Sequence, residues 1–97
     1  MIHNLVIHQS DLSSRSAASK KRVEILKVIQ RGGKVSLDFS AVKSVSQSYA
    51  DELFGVLSVR LGIDPLIDSV RISKASRHVL KSIAEAIQAR NEEYRAA

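Results

Sequence analysis

Residues 35–57 read VSLDFSAVKSVSQSYADELFGVL, and a change of period inside this stretch decides the fold. From Val35 the apolar residues recur at every second position. Val35, Leu37 and Phe39 point one way, Ser36 and Asp38 the other, the pattern of a strand over Lys34–Phe39. Beyond the polar loop that ends at Gln47 the interval changes. Ala50, Leu53, Phe54, Leu57 and Leu61 recur at three and four, so a helix over about Ser48–Leu61 should set one face against a core. A strand that feeds a helix through a short loop is the building unit of an α/β layer.

Working outward, the same unit repeats on both sides. Ile2–Ile7 is a first strand, with Leu5 and Ile7 alternating with Asn4. Val6 makes it apolar on both sides, so burial of both faces is expected. The polar run from Gln9 to Ser14 supplies capping oxygens for a helix over about Arg15–Gln30. Its apolar arc is Ala18, Ile25, Leu26 and Ile29, and Gly32-Gly33 stops it. Downstream, Gly62 closes the second helix and Asp64-Pro65 is expected to break the chain. A third strand over about Ser69–Ile72 leads through Ser73, read as a cap, to a helix over about Lys74–Tyr94. Val79, Leu80, Ile83, Ala86 and Ile87 form its stripe. The order β-α-β-α-β-α predicts one α/β domain over residues 1–97, with about three mainly parallel strands and three helices. Two sheet edges stay open, which invites a homodimer.

Composition narrows the chemistry. At 97 residues, 44% hydrophobic and 26% charged, the chain is neither a disordered tail nor a fibre. It has no cysteine, which excludes disulfides, thiolate metal sites and cysteine nucleophiles. No apolar run reaches the roughly 18 residues a membrane span needs, and MIHNLVIHQSD has no basic n-region, so a cytoplasmic protein is expected. His3, His8 and His78 lack ligand spacing, and no GxGxxG, GxxxxGK[ST] or GxSxG occurs. No metal, cofactor or enzymatic activity is expected. The net charge of +5 admits nucleic acid or an acidic partner. The largest basic cluster is Lys20-Lys21-Arg22. None of Phe39, Tyr49, Phe54 and Tyr94 sits in a basic run, so the stacking platforms of a single-strand binder are missing.

Several polar residues stand out. Ser48 with Asp51 three residues on reads as a capping box, and a phosphate on Ser48 would also suit a helix start. Asp51 and Glu52 are adjacent, so on an α-helix their carboxylates diverge. They suit the first turn, or contact with a basic patch on a partner. Arg15 and Arg22, seven apart, share a face beside the apolar arc, while Lys20 and Lys27 point outward. An arginine there either snorkels or reaches a carboxylate such as Asp51 or a ligand phosphate. Positive charge at a helix start is unfavourable, so Arg15 calls for a negative neighbour.

Asp38-Phe39-Ser40, Val42 and the run Ser46-Gln47-Ser48-Tyr49-Ala50-Asp51-Glu52-Leu53-Phe54, with Ser14-Arg15 opening the first helix, resemble a STAS-like bacterial family of unknown function. That family is related in layout to the STAS domains of anti-sigma-factor antagonists. There the equivalent loop reads Asp-Ser-Ser-Gly, and a kinase that is itself the anti-sigma factor phosphorylates the second serine. In this chain that serine falls on Ser48, with Ser46, Gln47 and Tyr49 replacing the other three residues. The resemblance implies a regulatory module that binds a protein, a kinase-like ATPase among the candidates. The implied contact surface is Arg15, Ser46, Gln47, Ser48, Tyr49, Asp51 and Glu52, with Ser48 the candidate phosphorylation site. The alternative is a nucleic-acid or nucleoprotein-binding module using Lys20, Lys21, Arg22 and Lys27, which would show steep salt dependence.

Overall fold

The computed structural model describes residues 1–96. Its main sheet is β1 (Ile2–Val6), β3 (Lys34–Asp38) and β5 (Val70–Ser73), in the order β1-β3-β5 and parallel throughout. The strand at Lys34–Asp38 is therefore the central one. Leu37 lies beside Leu5 on one side and Ile72 on the other. The domain is α/β, as the alternation of periods predicts.

The sheet has one covered face. Val35 and Leu37 are buried with Ile7, Phe39, Ile25, Leu53, Phe54, Leu57, Val79 and Ile83, the side chains that fill the space beneath the helices. The Phe39 and Phe54 rings pack tilted, with centroids 6.4 Å apart. Each such side chain contributes about 1.5–3 kcal/mol by leaving water. On the opposite face Ile2, Asn4, Val6, Lys34 and Arg71 are exposed. The expectation that the first strand is buried on both faces is therefore corrected. Val6 is 47% exposed on the open second face of β1, which is an edge strand.

α1 (Arg15–Gln30) keeps the predicted limits. The Ala17 N–H donates to Ser14 Oγ at 3.1 Å and starts it, and Gly32 at φ +84° follows its end. The second helix is a rod in three parts: α2 (Gln47–Ala50), a π-helical turn (Asp51–Gly55) and α3 (Val56–Leu61). Gly62 at φ +91° ends it.

Three further elements depart from expectation. Asp64-Pro65 does not simply break the chain: α4 (Ile63–Ser69) begins there. Pro65 occupies its first turn, where a missing N–H costs nothing, and the Leu66 N–H already reaches Gly62 O at 3.1 Å. Ser73 ends β5, its hydroxyl donating to Leu37 O, rather than capping the last helix. Lys74 turns the chain at φ +59°, and Ser76 caps α5 (Arg77–Ala96) by accepting from the Val79 N–H. Finally, β2 (Asp11–Leu12) and β4 (Ser44–Val45) form a parallel two-residue ladder. It clamps the loop before α1 to the loop before α2.

Candidate functional site

That ladder brings two helix starts together. The Ser46 N–H donates to Leu12 O at 2.7 Å, and Ser46 Oγ donates to Ser13 O at 3.1 Å. Ser46 Oγ also accepts from the Tyr49 N–H at 3.0 Å, which makes Ser46 the cap of α2. The capping box expected at Ser48 and Asp51 is thereby corrected. The helix begins two residues earlier, because the ladder holds Ser46 extended at φ −71°, ψ 158°. Ser48 lies in the first turn. Among the described residues its hydroxyl makes no hydrogen bond.

Five charges alternate across the corner. Arg90 grips Asp51 with two bonds, Nε to Oδ1 at 2.9 Å and Nη2 to Oδ2 at 2.7 Å. Arg15 Nη1 donates to Asp51 Oδ2 at 3.0 Å and to Glu52 Oε1 at 3.1 Å. Arg22 Nη1 donates to the other Glu52 carboxylate oxygen and to Glu52 O. The series Arg90–Asp51–Arg15–Glu52–Arg22 ties α5, the π-helical turn and α1 together. The α-helical argument that adjacent carboxylates diverge does not hold here. The wider π turn narrows the angle between neighbours, and one guanidinium spans both. The two carboxylates also supply the negative charge that Arg15 requires at the start of α1.

The protonation equilibria follow these contacts. Burial pushes the Asp51 carboxyl up, but the bonds from Arg90 and Arg15 outweigh it and hold the group below its ordinary range. Glu52 is lowered chiefly by the Arg22 bond, against an opposing effect of burial. Arg15 and Arg90 are raised, each chiefly by its bond to Asp51.

Beside this series lies a cleft of about 290 Å³, lined by Arg15, Gln47, Ser48, Asp51, Arg90 and Glu93 among others. Gln47 is exposed and Ser48 half-buried on its wall. A second, more apolar hollow with Val56, Val59, Arg60 and Tyr94 shares Arg90 and Glu93 with it. Tyr49, expected to face a partner, does not. It is 3% exposed, and burial raises its phenol pKa. Asp51 and Glu52 are engaged within the molecule, and no grouping of three or more metal-ligating side chains occurs among the described residues.

The alternative basic patch is divided by the fold. Lys20 and Lys27 are exposed on α1. Lys21 pairs with Glu24 at 2.9 Å, and the Arg22 side chain, 12% exposed, lies under Glu52. Two contributors were missed from the sequence. Arg90 continues the α5 stripe of Val79, Ile83 and Ala86, and an arginine at a core-facing position signals a buried acid. Asn91 donates to the buried Ser58 hydroxyl at 2.9 Å and locks α5 to α3.

A family model described as a STAS-like domain of unknown function (DUF4325) matches residues 18–80. It spans the central strand and the helix start at the corner. No curated protein and no solved structure matches the chain. The chain belongs to this STAS-like family.

Proposed function

We propose that this STAS-like chain is a bacterial regulatory module that binds a protein partner at the corner between α1, α2 and α5. Its contact residues are Arg15, Gln47 and Ser48, with Arg90 added from the fold. Ser46, Asp51 and Glu52 hold that surface in shape. The supporting observation is Ser48: Ser46 does the capping, which leaves the Ser48 hydroxyl unengaged on the wall of a cleft that two arginines line. A phosphate there adds a charge of about −1.5 to −2. It would compete with Asp51 for Arg15 and Arg90 and reshape the surface a partner reads. A kinase-like ATPase of the anti-sigma type is the partner class that the family resemblance favours.

The test has two arms. Intact-mass analysis of protein isolated from its native host, with phosphatase controls, should find a phosphate on Ser48 in some growth condition. Persistent absence across conditions removes the switch. Nuclease-treated pull-downs should then capture a protein with wild type and lose it with Ser48→Glu and with Arg15→Ala. A partner retained equally by all three would move the binding surface elsewhere. The kinase-like partner class implies a cytoplasmic setting, which is part of this proposal; separately, no helix among the described residues is long and apolar enough to cross a membrane.

A further inference from the structure

The free edge of β1 presents backbone groups that no neighbouring strand of the described residues covers. Lys34 N–H donates to Met1 O, and Ile7 N–H donates to Asp38 O. Hydrogen bonding in a parallel ladder alternates along the strand. The backbone groups of odd-numbered β1 residues therefore face β3, and those of Ile2, Asn4 and Val6 face outward with no strand beyond them. Nothing protects this edge in the usual ways. It has no proline, bulge or lysine, and between Met1 and Asp11 there is no acidic or permanently basic side chain.

We propose that a second copy of this chain pairs antiparallel along β1, about a twofold axis at Asn4, giving a continuous six-stranded sheet. Parity and chemistry select that register. Ile2 lies opposite Val6 of the second copy, Asn4 opposite its own equivalent, and Val6 opposite Ile2. All three pairs have outward-facing backbone groups, so each exchanges two hydrogen bonds. Ile2 and Val6, 60% and 47% exposed in the single chain, become an apolar cross-strand pair on either side of the axis. The two Asn4 amides meet between them.

The other edge makes the opposite case. Phe39 N–H donates to Ser73 O, so on β5 only Val70 and Ile72 face outward. Pairing β5 with itself in the register that uses both outward residues, Val70 opposite Ile72, would place Arg71 directly opposite Arg71 on the exposed face, and like charges so placed repel. With +5 on each chain, the pairing at β1 should tighten as salt is raised. Phosphate-directed binding has the reverse dependence. The proposal uses a different face from the Ser48 corner and stands or falls separately from it.

Sedimentation equilibrium over a concentration series should show a reversible monomer–dimer equilibrium. Asn4→Pro removes both central N–H donors without touching a bond to β3, and should weaken the dimer at least about tenfold. Ile72→Pro on β5 should leave the association constant unchanged. Independently of any variant, hydrogen exchange of wild type should show the Asn4 and Val6 amides gaining protection with concentration, while Leu5 and Ile7 stay protected throughout. A monomer at every concentration overturns the proposal. So does a dimer broken by Ile72→Pro and not by Asn4→Pro, or one in which the Asn4 and Val6 amides exchange freely.

Discussion

The charged corner and the β1 edge are opposite solutions to the placing of polar groups. At the corner, Asp51, Glu52 and the three arginines pair with one another inside the chain, though the buried Arg22 Nε has no partner among the described residues. At the edge, the outward N–H and C=O groups of Ile2, Asn4 and Val6 find no partner among the described residues. Internal satisfaction makes a surface rigid and specific to this fold. Unmet backbone groups leave a surface that a second strand can complete. The corner should therefore be sensitive to substitution in the isolated chain, and the edge sensitive only when the protein associates.

The sharpest test of that contrast is Gly55→Ala. A Cβ at Gly55 would lie 2.8 Å from Asp51 Oδ1, 3.2 Å from Arg90 Cβ and 3.4 Å from Ala86 O. The crowding falls where the arginine–aspartate pair joins α5 to the π turn. Despite alanine's better helix propensity, the variant should lose about 1–3 kcal/mol in denaturant unfolding. A neutral result would mean that the corner is not tightly packed.

Asp51→Asn comes next, at about 1–2 kcal/mol, because it leaves Arg90 without its ion-pair partner and Arg15 with Glu52 alone. Its pH dependence has a defined sign. Asp51 and Glu52 have folded pKa values below their ordinary ones. Their stabilisation is complete above the ordinary carboxylate range near 4 and is lost as pH falls through the lowered values. Acid titration of wild type should show that loss, and Asp51→Asn should flatten it. Equal slopes would remove the electrostatic account.

Ser46→Ala should cost about 1 kcal/mol through the lost cap, and Ser48→Ala less than about 0.5 kcal/mol. Reversal of that order in thermal melts would return the cap to Ser48 and undercut the regulatory reading. The smallest effect belongs to the edge. Ile2→Thr should change the stability of the dilute chain by less than about 0.5 kcal/mol, since Ile2 is 60% exposed there.

Much of the fold was legible because period is a local property. Val35, Leu37 and Phe39 marked the strand that proves central, and the polar run ending at Ser14 with Gly32-Gly33 marked the limits of α1. The ladder of Asp11–Leu12 with Ser44–Val45 was not legible, since two residues carry no period. That omission displaced the cap of the second helix from Ser46 to Ser48. The same limit applies to Tyr49, whose burial depends on the path of the loop above it.

From its residues alone, the chain declared an α/β order, the STAS-like signature from Asp38 to Phe54, and the need of Arg15 for a negative neighbour. These follow from side-chain spacing and from the sign of a helix dipole, and neither requires knowledge of distant residues. Only the tertiary structure decided that Asp51 serves Arg15 and Arg90 together, that a side chain at Gly55 would crowd Asp51 and Arg90, and that β1 lies at an edge. Each depends on residues far apart in the chain meeting at contact distance. Local period sets which face of an element is apolar; the packing of whole elements sets which charges meet and which backbone groups remain unpaired.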